Sequence, residues 1–136
     1  MKLLSVSLLV LLSLASCMSN SHASSTPNAI GGQRDKHDCL VGAGQTWSTL
    51  RHTCIQVFNE GIRLNPVGQK EHTAVFSAFI IYNQDQSKAE LFLPNESSSN
   101  VLTTNDKITY HLGTYSYDSK TGILSIGGAQ KYLRYK

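Results

Sequence analysis

The sequence predicts an all-β domain, a small antiparallel barrel of about seven or eight strands that is preceded by a disulfide-bracketed segment. From residue 34 onward, short β-branched and aromatic segments alternate with clusters of Gly, Pro, Asn, Asp and Ser, which is typical of strands joined by turns. No segment has the apolar periodicity of an amphipathic helix. Because an open sheet of this size exposes two edges, a closed barrel is the favoured arrangement.

The predicted strands are the apolar segments that lie between turn signals. Residues 73–82 are the most apolar of these segments, and their β-branched and aromatic content favours a central strand buried on both faces. Residues 46–52 can form a single helical turn. The β-rich segments are residues 54–58, 62–67, 73–82, 88–93, 101–104, 108–110, 114–117, 123–126 and 130–135.

Composition and charge exclude several classes of protein. The 136 residues are 40% hydrophobic and 15% charged, which suits one folded domain rather than a disordered chain. The 12 basic residues exceed the 9 acidic ones by only 3 and are scattered, so we expect no nucleic-acid partner.

Enzyme signatures are missing as well. The sequence has no nucleophile elbow, no His-Glu-x-x-His motif and no phosphate-binding glycine loop. The acidic residues, Glu90 among them, fall in predicted turns or at outward strand positions, where solvated surface carboxylates are expected. We therefore predict a non-enzymatic protein with no catalytic residue, cofactor or metal.

The first residues have the pattern of an export signal. Lys2 precedes an apolar stretch at residues 3–14, which is too short to span a bilayer. The following Leu14-Ala15-Ser16-Cys17 resembles the bacterial lipobox, which implies lipid attachment at Cys17. Met18 occupies the position at which an Asp signals inner-membrane retention, so we expect an outer-membrane anchor that faces the periplasm.

This resemblance divides the chain into three parts. Residues 1–16 are the predicted lipoprotein signal peptide. Residues 17–33 are small and polar without periodicity, which indicates a flexible tether. Residues 34–136 are the single barrel-like domain, with a disulfide loop at residues 39–54.

The two cysteines after Cys17 have two interpretations. In an oxidising compartment, Cys39 and Cys54 most often form a disulfide, and closing this loop stabilises a fold by roughly 3 kcal/mol. Alternatively, His37-Asp38-Cys39 and His52-Thr53-Cys54 are two His-x-Cys units, and four such ligands can hold a tetrahedral zinc ion. We favour the disulfide and expect Trp47, the sole tryptophan, to pack under its loop.

The C-terminal half carries a resemblance to a known family. Its residues are Ala89-Glu90-Leu91-Phe92-Leu93-Pro94, Val101-Leu102, Tyr110 and Leu124-Ser125-Ile126-Gly127-Gly128-Ala129. These stretches resemble the membrane-bound inhibitors of c-type lysozyme, which are small eight-stranded envelope barrels. Of that family's two inhibitory motifs, Tyr110 and Gly127 match, while the serine and the lysine are missing. Residues 31–55 are similar to a Cys-bracketed segment of uncharacterised bacterial lipoproteins.

Two functional hypotheses follow for an envelope lipoprotein. In the first, the protein is a non-enzymatic binding protein that inhibits a lysozyme-type muramidase. Lys107, Tyr110 and Lys120 are then the candidate partner-binding residues, because cationic, hydroxyl-rich loops complement the paired carboxylates of such enzymes. In the second, it is a structural or accessory lipoprotein that binds protein or glycan partners without inhibiting them. A peptidase inhibitor built on the disulfide loop is a more distant third.

Overall fold

The computed structural model describes residues 32–136, in which eight strands form a closed antiparallel barrel after a two-stranded hairpin. The predicted all-β barrel is thereby confirmed. Residues 1–31, with the predicted signal peptide, Cys17 and most of the tether, lie outside the described residues. The elements are a 3-10 turn at Val41–Ala43, β1 at Thr46–Ser48, β2 at Thr53–Ile55, α1 at Val57–Glu60, β3 at Ile62–Pro66, β4 at Ala78–Tyr82, β5 at Lys88–Phe92, β6 at Asn100–Thr103, β7 at Thr109–Leu112, β8 at Tyr115–Asp118, β9 at Ile123–Ile126 and β10 at Ala129–Arg134.

The barrel is an antiparallel meander that closes on itself. Each strand from β3 to β10 pairs with its neighbour in sequence, and β10 also pairs with β3. Closure leaves no free sheet edge in the barrel, as expected for a sheet of this size. The one α-helix in residues 32–136 has four residues, and no helix in this range is long and apolar enough to cross a bilayer.

The barrel core is built from alternate strand residues, as the period of two requires. Tyr110 and Tyr117 are its largest members, and the Tyr110 hydroxyl donates a hydrogen bond to the Gln86 carbonyl at 2.8 Å. Arg134 covers one end, where its guanidinium donates to the Tyr117 hydroxyl at 3.0 Å. The fully buried core residues are Leu64, Ala78, Ile80, Ala89, Leu91, Leu102, Tyr110, Tyr117 and Leu124.

A disulfide joins the N-terminal hairpin, β1 and β2, to the segment that precedes it. Cys39 and Cys54 are bonded, with their Cα atoms 5.5 Å apart, and Trp47 lies opposite Cys54 in the hairpin register. The predicted disulfide is thereby confirmed. The zinc alternative is wrong, because both sulfur atoms are bonded to each other and neither is a free thiolate ligand.

A second buried layer lies on the outer face of β4 and β5. Ile81 and Glu90 are cross-strand partners, and their sequence neighbours Ile80 and Ala89 point into the barrel core. Both outward side chains are nevertheless buried, Ile81 at 2% and Glu90 at 0% exposure. The prediction that residues 73–82 contain a strand buried on both faces is therefore confirmed for β4.

Three local predictions need correction. Residues 46–52 are a helical turn only in their second half: Thr46–Ser48 form β1, which pairs with β2, and the turn that follows is closed by a hydrogen bond from the His52 N–H to the Ser48 carbonyl at 2.9 Å. The predicted strand at residues 54–58 ends at Ile55, and the helical turn Val57–Glu60 then redirects the chain into the barrel. Residues 73–77 are not a strand, because β3 ends at Pro66 and pairs with β4 only up to Ala78.

Candidate functional site

A buried carboxylate joins the N-terminal hairpin to the barrel. Glu90 accepts hydrogen bonds from the hydroxyls of Ser48 and Ser99, both at 2.5 Å, and from the backbone N–H groups of Thr49 at 2.7 Å and Leu50 at 3.3 Å. No ion pair within residues 32–136 includes Glu90. Because a buried charge needs compensation, these four donors offset the desolvation of the carboxylate. Glu90 therefore fixes two separate segments on one face of β5.

The same two segments enclose a cleft. One wall comes from the N-terminal segment and the other from the β5–β6 loop, residues 93–99. The cleft has a volume of about 560 Å³ and is lined mainly by hydroxyl and aromatic side chains. The lining residues are Asp35, Lys36, His37, Thr46, Trp47, Thr49, Ser97, Ser98 and Ser99.

An aromatic stack forms part of the N-terminal wall. The imidazole of His37 lies on the indole of Trp47, with ring centroids 4.5 Å apart and planes only 9° from parallel. His52 meets the same indole edge-on at 6.5 Å. His37 is exposed and Trp47 is half-buried, so the stack consists of an accessible imidazole ring on a partly buried indole ring. His37 and His52, the two histidines of the zinc alternative, therefore flank the tryptophan.

The loop that carries His37 is fixed by its own polar groups. The Asp35 carboxylate accepts hydrogen bonds from the backbone N–H groups of Cys39 at 2.9 Å and His37 at 2.8 Å. These two donors, that of Cys39 foremost, hold the pKa of Asp35 below its usual value. The Arg34 guanidinium donates to the Asp38 carbonyl at 2.7 Å. The stack is therefore presented by a loop that is ordered before any ligand arrives.

A smaller apolar hollow adjoins the cleft. It has a volume of about 230 Å³, and Thr46 lines both cavities. Phe79 and Phe92, a cross-strand pair on the outer face of β4 and β5, form part of its lining together with Pro94. The lining also includes the Glu96 carboxylate, so the hollow places apolar side chains and one acidic group directly beside the hydroxyl-rich cleft.

The predicted partner-binding residues are only partly brought together. Lys107 and Lys120 are both exposed, and they lie in adjacent turns because the Ser119 hydroxyl donates to the Lys107 carbonyl at 3.4 Å. Tyr110 does not join them at the surface. It is fully buried, because it occupies an inward position of β7 and its hydroxyl is satisfied by Gln86. The expectation that Tyr110 projects with the lysines therefore needs correction.

The strand order places the two lysines at the opposite end of the barrel from the β5–β6 loop of the cleft. Successive connections of an antiparallel meander alternate between the ends of the barrel. The β6–β7 and β8–β9 turns, which hold Lys107 and Lys120, are therefore at the end opposite the β5–β6 loop. The cleft and the lysine pair are separate candidate surfaces.

Sequence reasoning singled out His37 and Trp47 of the cleft for other roles, and it missed the hydrogen-bonded group behind them. The sequence pattern predicts a solvated outward position for Glu90 and does not single out Ser48 or Ser99. One signal was present in the sequence. Residues 78–81 are apolar on both faces of β4, which indicates that something covers the outer face, and Glu90 pairs with Ile81 on that face. A carboxylate under such a cover must be buried and hydrogen-bonded.

The described residues have no metal-binding cluster, since residues 32–136 contain no group of three or more His, Cys, Asp or Glu side chains that is placed to hold a metal ion.

No protein-family model, curated protein or solved structure matches this chain. We therefore infer its function from the chemistry of the cleft and the pattern of the N-terminal sequence.

Proposed function

We propose that this chain is a lipid-anchored, non-enzymatic binding protein of the bacterial envelope, and that the cleft is its ligand site. The observation that carries the proposal is the pairing of an aromatic stack with hydroxyl groups in one concave, pre-ordered site. Binding sites for small ligands typically combine such an apolar surface with a few polar groups that set orientation. The lipobox-like sequence at Cys17 supports the anchor.

The two carboxylates at the site take part in structural hydrogen bonds. The Asp35 carboxylate is engaged by two backbone N–H groups of its own loop. The Glu90 carboxylate behind the cleft is fully buried, and its oxygens accept four structural hydrogen bonds. A general acid or base must reach the proton that it transfers, and the buried Glu90 cannot do so. This supports a non-enzymatic role.

The tether suits a ligand that is fixed within the envelope. Asp35 lines the cleft and the predicted tether ends at residue 33, so the cleft lies close to the anchored end of the domain. A tether from Cys17 to residue 33, if fully extended, spans roughly 55 Å. This length is the greatest distance that the tether allows between Cys17 and the domain.

The anchor is tested by cell fractionation. We expect the full chain in the membrane fraction, and we expect Cys17→Ser to move it to the soluble fraction because acylation is lost. Wild-type protein that is free of the membrane would overturn the anchor.

The ligand site is tested with the full chain purified in detergent. It is incubated with purified cell-wall sacculi and, separately, with immobilised envelope proteins. We expect retention by one of the two, strongly reduced by His37→Ala. The matched control is His111→Ala, which removes an exposed histidine from β7 outside the cleft. Equal retention of both variants, or no retention of the wild type by either material, would overturn the cleft as the ligand site.

Inhibition of a muramidase is a second candidate, favoured by the adjacency of Lys107 and Lys120. Two exposed ammonium groups on neighbouring turns offer a positive surface to an active site with paired carboxylates. We expect the purified chain to slow cell-wall cleavage by a lysozyme panel, and the double variant Lys107→Glu with Lys120→Glu to abolish the effect. Unchanged cleavage rates across the panel would remove this candidate.

A further inference from the structure

The charge balance of the cleft restricts its ligand. Its formally charged side chains are Asp35 and Lys36, which cancel, and the remaining lining consists of hydroxyl and aromatic groups. A phosphate or nucleic-acid site would instead gather cationic side chains or converging backbone N–H groups. The cleft therefore suits a ligand without net charge.

The polar groups of the cleft are free to bind. Within residues 32–136, the hydroxyls of Thr46, Ser97 and Ser98 take part in no intramolecular hydrogen bond, whereas Ser99 is engaged by Glu90. Hydroxyl groups donate and accept, so each of them can pair with a hydroxyl of a ligand in either direction. The stacked rings of His37 and Trp47 complement them with an apolar surface.

These features match the two-sided chemistry of a sugar ring, which has an apolar C–H face and a rim of hydroxyl groups. We infer that the cleft binds a neutral saccharide chain of N-acylated hexose units. This inference rests on the proposed binding function and specifies the ligand of the same site. The C–H face of one unit lies on the aromatic stack, and its hydroxyls pair with the serines of the β5–β6 loop.

The apolar hollow beside the cleft accounts for the acyl group. Thr46 stands at the junction of the two cavities. Phe79, Phe92 and Pro94 line the hollow beyond it, together with the carboxylate of Glu96. An unmodified hexose has no apolar substituent that could enter the hollow, whereas an N-acetylated hexose can place the methyl of its acetamido group there. One apolar methyl in such a pocket changes affinity by about tenfold or more.

The only tryptophan of the chain reports binding directly. The full chain in detergent is titrated with a tetramer of N-acetylglucosamine and, separately, with a β-1,4-linked glucose tetramer, while Trp47 emission is recorded. We expect a saturable change with the acetylated tetramer and about tenfold weaker binding of the glucose tetramer. Equal affinity for both tetramers would overturn the acyl-specific part of the inference.

Variants locate the site. His37→Ala removes the exposed ring of the stack, and we expect it to weaken binding of the acetylated tetramer at least tenfold. The exposed-histidine control His111→Ala should bind like the wild type. Trp47→Phe retains an aromatic ring and should still bind, as measured by calorimetry, whereas Trp47→Ala should not. Circular dichroism confirms that each variant is folded, and an equal affinity of the two histidine variants would overturn the placement in the cleft.

The outcomes separate this inference from the proposed function. If neither tetramer binds while sacculi or envelope proteins still retain the chain through His37, the saccharide inference is wrong and the binding function stands. If retention and tetramer binding are both absent, both proposals fail. Tetramer binding that depends on His37 supports both.

Discussion

Replacing Glu90 by Gln tests whether the buried carboxylate holds the N-terminal hairpin on the barrel. The four donors converge on two oxygens: Oε1 accepts from Thr49 and Ser99, and Oε2 accepts from Ser48 and Leu50. A glutamine retains the shape but turns one acceptor into an amide NH₂ group. Because each oxygen faces one backbone N–H, either orientation of the amide places a donor against a donor.

The less costly orientation can be identified from the distances. An amide nitrogen at the Oε2 position loses the Leu50 N–H bond, which is the longest at 3.3 Å. The Ser48 hydroxyl can reverse and accept, but it already accepts from the Arg51 N–H at 3.0 Å, and its own proton is then left buried without a partner. Hydrogen bonds to charged groups contribute about 1.5–3 kcal/mol each.

Two effects of opposite sign therefore compete in the Glu90→Gln variant. Removing a buried charge recovers part of its desolvation cost, while the lost and weakened hydrogen bonds are unfavourable. Because four donors compensate the charge, we expect the loss to dominate and the free energy of unfolding to fall by about 1–3 kcal/mol. Glu90→Leu removes both acceptor oxygens, and each buried donor left unpaired costs about 1–3 kcal/mol, so we expect a larger loss than for Glu90→Gln.

Urea unfolding of the full chain, followed by Trp47 emission, measures both losses. Glu71→Gln is the matched control, since Glu71 is exposed in the β3–β4 connection, and it should leave stability unchanged. A Glu90→Gln variant that is as stable as the wild type, or more stable, would show that desolvation exceeds the hydrogen bonds. The carboxylate would then not be what fixes the hairpin.

Three further predictions concern the disulfide, the core and pH. Replacing Cys39 and Cys54 by Ala should lower the free energy of unfolding by about 3 kcal/mol, because the bridge spans 15 residues; unchanged urea unfolding in non-reducing buffer would contradict this. Tyr110→Phe should cost about 1 kcal/mol through the unpaired Gln86 carbonyl, and Tyr110→Ala about 3–5 kcal/mol through a cavity, with ligand retention by the folded protein unchanged. Asp106 lies in the β6–β7 turn, and the backbone N–H groups of Thr109 and Ile108 donate to its carboxylate, which lowers its pKa from 3.8 to about 2. Its stabilising contribution is therefore present above pH 3.8 and lost as the pH falls through about 2, so the stability difference between wild type and Asp106→Asn should close across that interval in urea unfolding; a constant difference would refute the assignment.

The barrel strands could be predicted because their sequence pattern is local. Short alternating segments between turn residues place β3 and β5 through β10 within a few residues of their observed bounds. The disulfide likewise follows from the pairing of the two cysteines that remain after Cys17. In each case, the pattern and the partner are both readable without knowing the tertiary arrangement.

The cleft could not be predicted, because it forms between segments that are distant in sequence. Ser48 and Glu90 are 42 residues apart, and their contact depends on how the hairpin lies across the barrel. For Tyr110, the sequence predicts a surface residue where the structure has a core residue. A tyrosine among lysines resembles a recognition surface, but strand alternation directs its side chain inward. Which face of a strand is covered is a tertiary property.

The most direct test of the central claim is to map the ligand on the domain. Amide chemical shifts of the isotope-labelled full chain are recorded by NMR while solubilised cell-wall glycan fragments are added. We expect the perturbed amides to cluster at residues 35–37, 46–49 and 97–99. Perturbations that cluster around Lys107 and Lys120 instead would contradict the assignment of the cleft as the ligand site, and no perturbation at saturating fragment concentration would contradict a saccharide ligand.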